Sequence, residues 1–86
     1  MNNKVLKLGP LSVGGKLKIE NGFLSYQNPY GRTFRVLVKD IETVTVDTKG
    51  WGSGILKIIG RGTELAVEKM PINWANKSQA WILENK

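Results

Sequence analysis

From Lys16 to Glu68 the chain alternates apolar and polar residues in short runs. From Asn73 to Asn85 the spacing lengthens to that of a helix. Alternation with period two puts the apolar side chains on one face of a strand. Lys16-Leu17-Lys18-Ile19-Glu20 is the cleanest run, with Leu17 and Ile19 on one face. Asn21-Gly22 follows, and these two residue types tolerate the positive φ that a type I′ turn requires. Phe23–Gln27 is therefore predicted to return as the second strand of a hairpin. Asn28-Pro29-Tyr30-Gly31 predicts the next turn, because proline presets φ and glycine stands nearby. A third strand is expected from Thr33 to Val38, burying Phe34, Val36 and Val38 and turning Arg35 outward. Lys39-Asp40 breaks it. A fourth is expected from Ile41 to Asp47, with Val44 and Val46 inward and Thr43 and Thr45 outward. The glycine-rich loop Lys49-Gly50-Trp51-Gly52-Ser53-Gly54 leads to a fifth strand at Ile55–Ile59. Gly60-Arg61-Gly62 turns the chain into a sixth at Thr63–Glu68, with Leu65 and Val67 inward.

Pro71 then ends the sheet pattern, and Asn73 can cap a helix by accepting a hydrogen bond from a free backbone N–H. Trp74, Ala75, Ser78, Trp81 and Ile82 form one apolar stripe at helical spacing, and Asn76, Lys77, Gln79 and Asn85 form the opposite face. A helix of about three turns is too short to hold in water alone. It is expected to lie on the sheet over residues 73–85, with Trp74 and Trp81 as the plug. At the other end, Val5-Leu6-Lys7-Leu8 has the length of a short edge strand and Gly9-Pro10 stops it. Residues 1–15 are thus either a first strand or a loose arm. The 86 residues read as one domain.

Composition removes whole classes of chemistry. There is no cysteine and no histidine. Disulfides and thiolate sites are excluded, and so is the commonest general base and metal ligand. No signal peptide is expected, and no apolar run approaches the ~18 residues of a membrane span. The expected location is the cytoplasm, with a place at the membrane surface left open. Asn76-Lys77-Ser78 matches the glycosylation tripeptide but reads as ordinary helix sequence. Gly9 to Lys16 has neither the spacing of a phosphate loop nor the helix that should follow one. Asp40, Glu42 and Asp47 have no loop cage for a hard cation. No enzyme, cofactor or metal site is therefore expected.

Charge is distributed unevenly. The net charge is +6. Residues 1–39 hold seven bases (Lys4, Lys7, Lys16, Lys18, Arg32, Arg35, Lys39) against one acid, Glu20, while residues 40–86 hold six of each sign. The whole excess falls on the first half. Such a bias steers a chain toward polyanions, or simply keeps a small surface solvated.

Several segments in order resemble the pleckstrin-homology-like superfold, in particular the small bacterial domains of that kind. Leu17-Lys18-Ile19-Glu20-Asn21-Gly22-Phe23-Leu24-Ser25-Tyr26 resembles their opening hairpin. Val36-Leu37-Val38-Lys39-Asp40-Ile41-Glu42-Thr43-Val44 resembles the polar break that ends in Asp-Ile and leads into the next strand. Gly54-Ile55-Leu56-Lys57-Ile58 with Gly60-Arg61-Gly62 resembles their glycine-linked hairpin, and Trp74 to Leu83 their capping helix. The resemblance implies a mainly β fold: a partly open barrel of about seven antiparallel strands in two near-orthogonal sheets, capped by one C-terminal α-helix. The seventh strand would be Val5–Leu8 or Leu11–Val13. It also implies a binding module without catalysis. Relatives that bind phosphoinositides use Lys and Arg around the loop between their first two strands. With Lys16–Glu20 as the first strand, that loop would be the uncharged Asn21-Gly22.

Two sets of residues stand out as candidates for binding. Lys16, Lys18, Arg32 and Arg35 form a basic patch if the hairpin and the next strand bring them together. Trp51 and Tyr30 are aromatic residues on turns, suited to anchoring a partner. Trp51 can also fold back to cover the core. The function expected first is protein–protein binding or self-assembly. Peripheral binding to anionic lipid head groups through the basic patch is one alternative, and a small nucleic-acid-binding barrel is another.

Overall fold

The structure, a computed structural model, describes residues 4–9, 15–28 and 33–86. It is mainly β, with two antiparallel sheets and one C-terminal helix. The chain divides into two compact units, 1–39 and 40–86.

The first unit is a four-stranded meander of β1 (Lys4–Leu8), β2 (Gly15–Glu20), β3 (Phe23–Gln27) and β4 (Thr33–Leu37), paired in that order. Lys4–Leu8 supplies a seventh strand, and the other N-terminal candidate, Leu11–Val13, lies outside the described residues. The hairpin is the one the sequence requires, with φ of 55° at Asn21 and 83° at Gly22. Val38 N–H donates to the Gly22 carbonyl at 2.9 Å and fastens the end of β4 to that turn. Leu8, Leu17, Leu24 and Tyr26 are buried on one face. Tyr26 stacks on Phe34 with ring centroids 5.6 Å apart. The Tyr26 ring also lies against Gly15, where an added Cβ would come within 2.9 Å of its hydroxyl. Phe34 and Val36 share that face, as alternation predicts. Val38 does not extend the strand, because residues Val38–Asp40 coil into a 3-10 turn.

The second unit is a three-stranded meander of β5 (Thr43–Lys49), β6 (Ser53–Gly60) and β7 (Thr63–Pro71), followed by α1 (Ile72–Asn85). Its core is Ile41, Val44, Leu56, Ile58, Ala66, Met70, Ala75 and Ile82. The inward face of the last strand and the start of the helix differ from expectation. The inward residues of β7 are not Leu65 and Val67 but Ala66, Glu68 and Met70; Val67 is 47% exposed. The register explains it. Fully buried Leu56 and Ile58 stand opposite Glu68 and Ala66, and a bulge at Ile58/Ile59 leaves Leu65 as the extra residue. An acid in the inward set disguised the face. The helix also starts one residue earlier than expected. Pro71 holds the cap position without a side-chain hydrogen bond, and Asn73 lies inside the first turn.

The helix rests on all three strands of its sheet. Its fully buried residues are Ala75, Ser78 and Ile82, while Trp74 and Trp81 are only half-buried. The contact is therefore made by small residues at close range, with the indoles beside it rather than plugged through it. Gly54 permits this approach: a Cβ there would stand 2.8 Å from Ile72 Cδ1 and 3.1 Å from the Ala75 Cβ. Ser78 Oγ lies 3.9 Å from Met70 Sδ. Gln79, assigned to the outer face by periodicity, instead donates to the Val44 carbonyl.

Candidate functional site

Each unit presents one surface of interest. In the four-stranded sheet, directly opposed residues share a face. One row across the sheet is Lys7, Lys16 and Gln27, and the next is Val5, Lys18, Ser25 and Arg35. The face therefore gathers Lys7, Lys16, Lys18 and Arg35. All of them come from the half of the chain that carries the whole net charge, and that half is the first compact unit. Lys7, Lys16 and Arg35 are exposed. The expected grouping of Lys16, Lys18 and Arg35 follows from the register. Lys7 was missed, because only the pairing of β1 with β2 places it directly opposite Lys16. Arg32 and Tyr30 lie outside the described residues.

The third row bounds the basic track. It holds Glu20, Phe23 and Leu37. Lys18 Nζ is 3.1 Å from Glu20 Oε1. The Arg35 guanidinium sits 3.9 Å from the centre of the Phe23 ring, a cation–π contact that holds the base down on the sheet. Among the described residues no carboxylate comes within ion-pair distance of Lys7 or Lys16. Like charges directly opposite each other destabilise a strand pair.

With Lys4–Leu8 as the first strand, the sequence between the first two strands is Gly9-Pro10-Leu11-Ser12-Val13-Gly14, of which residues 10–14 lie outside the described residues, and Asn21-Gly22 joins the second strand to the third. Residues 9–14 too contain no Lys or Arg.

In the second unit Trp51 stands at the tip of the β5–β6 hairpin between Gly50 (φ 62°) and Gly52 (φ 73°). Its side chain is fully exposed, at 102% of the reference area. It does not fold back over a core. The tip itself is well held, because Ile72 N–H donates to the Gly52 carbonyl at 2.9 Å where the helix begins. On the face of this sheet away from the helix, Lys57 Nζ lies 3.3 Å from Asp47 Oδ2 and 3.4 Å from Glu64 Oε2. Both carboxylates raise the pKa of Lys57 above its ordinary value, the hydrogen bond that Lys57 donates to Asp47 most.

Among the described residues no three acidic side chains gather as a metal-binding set, and no helix is long and apolar enough to cross a membrane. Comparison with family models, with curated proteins and with solved structures finds no match.

Proposed function

We propose that this chain is a non-catalytic interaction module that binds protein, either a second protein or another copy of itself, through the β5–β6 hairpin tip. The observation that carries this reading is the fully exposed indole of Trp51 on a hairpin tied to the start of the helix. A large aromatic side chain left in water costs solvation and contributes nothing to the core. Buried in a partner's pocket, the same ring is the kind of anchor that dominates interface energy. The glycines on either side keep the flanks slim enough for the ring to enter such a pocket. Seven antiparallel strands in two sheets followed by a terminal helix match the number of strands and sheets implied by the pleckstrin-homology-like resemblance. That match supports the same reading by analogy of fold.

The test is a photoreactive aromatic residue in place of Trp51, irradiated in the cells that make the protein. Discrete protein adducts, to this chain or to another, that are competed by the unlabelled chain and not by its Trp51→Ala variant are the expected result. Adducts to lipid or nucleic acid alone, or none, would overturn the reading.

A further inference from the structure

We infer that the exposed face of the four-stranded sheet binds the sugar-phosphate backbone of single-stranded nucleic acid along the track Lys7, Lys16, Lys18 and Arg35. This goes beyond the hairpin reading and rests on a different unit. Three observations support it. The first is charge: the unit that forms this sheet holds seven bases and one acid, and the other unit is neutral. A polyanion is the complement of such a surface.

The second is shape. The bases occupy two adjacent rows and reach from β1 to β4. At ~4.8 Å between strands and ~3.4 Å per residue along them, the track is about 14 Å long and about 7 Å wide. It is a strip, closed on one side by Glu20, Phe23 and Leu37. A planar array of anionic head groups pressed onto this face would also meet Glu20. A single phosphate chain crossing the strands would follow the bases and meet Glu20 only where it pairs with Lys18. Ser25 and Gln27 lie within the same two rows and supply uncharged hydrogen-bonding groups between the cations.

The third is an electrostatic tension within the fold. Lys7 and Lys16 oppose each other directly, and no carboxylate among the described residues relieves them. A bound phosphate would turn that repulsion into shared attraction. Phe23 is already capped by Arg35, so backbone contacts supply the affinity and bases are read weakly.

The experiment is fluorescence anisotropy with a short labelled oligonucleotide of mixed sequence, titrated at several salt concentrations. Wild type is expected to bind, with affinity falling linearly in log salt. Lys7→Gln/Lys16→Gln is expected to lose about tenfold or more at low salt and to flatten the slope by about 1.4, since each lost phosphate contact is worth about 0.7 on a single strand. Lys4→Gln/Lys39→Gln removes the same charge from the same unit but off the track, because Lys4 pairs with Ile19 in the other set of rows and Lys39 lies in the 3-10 turn. It is expected to keep the wild-type slope. Circular dichroism checks that each variant is folded. Absent binding at low salt, equal weakening by both double variants, or tighter binding to phosphatidylserine vesicles or to polyglutamate would overturn the inference. Trp51→Ala is expected to leave oligonucleotide binding unchanged, so failure here and failure of the hairpin reading show separately.

Discussion

The side-chain amide of Gln79 donates to the backbone carbonyl of Val44 at 2.8 Å, tying the helix to β5, an outer strand of its three-stranded sheet. This bond crosses 35 positions in the sequence and fixes how the helix lies. Gln79→Ala should cost about 1–2 kcal/mol, since a part-buried carbonyl loses its donor. Lys77→Ala, exposed on the same helix, should stay within about 0.5 kcal/mol of wild type. Urea denaturation of the two variants measures the difference.

Gly54 sets the depth of the helix on the sheet. Gly54→Ala places a methyl group against Ile72 and Ala75. The expected loss is about 1–3 kcal/mol from overpacking. Gly60→Ala should cost more than Gly54→Ala, because its Cβ would collide with the Asp40 backbone carbonyl, and backbone cannot move aside as the end of an isoleucine can. Thermal melts of the two variants should rank them in that order.

Large apolar residues in the second unit include some that hold it together and some, Trp51 above all, that stand in solvent. Ile82→Ala should destabilise by about 2–5 kcal/mol, because Ile82 is fully buried on the inner face of the helix. Trp51→Ala should change stability by less than about 0.5 kcal/mol. Iodide should quench Trp51 far more than Trp74 or Trp81, as variants retaining one tryptophan at a time would show. A destabilised Trp51→Ala protein would mean that the indole covers core.

The Asp47–Lys57–Glu64 contacts predict a pH dependence. The two carboxylates raise the Lys57 pKa above its ordinary 10.5. The folded state therefore holds this proton more tightly than the unfolded state does. The stabilisation is fully present below about pH 10.5 and is lost as pH rises through the raised folded value. Lys57→Met should be less stable than wild type near neutrality, and the two should converge in strong alkali. Added salt should narrow the gap at neutral pH, because the cluster faces solvent. A difference that stays constant into strong alkali would rule out the ion pairs as its source.

Local signals in the sequence carried much of the architecture. Asn21-Gly22 specified its turn through the φ angles that only a few residues accept, and period-two alternation located β2, β3, β5 and β6. The basic face was legible in part, since Lys16 and Lys18 lie two apart on one strand. Arg35 was readable as outward once Phe34 and Val36 were read as inward. Lys7 was not legible as a member, because its place beside Lys16 depends on a pairing across a segment with no fixed turn signal.

The sequence by itself determined the mainly β class, the terminal helix and the concentration of positive charge in residues 1–39, since periodicity and charge are properties of neighbours along a chain. Only the tertiary structure decided which face of β7 is buried, that Gln79 reaches a strand, that Trp51 stands free, and that four bases align across a sheet. Each of these depends on register and close approach between segments distant in sequence. A shift of one residue in register exchanges the two faces of a strand, so local pattern alone could not settle them.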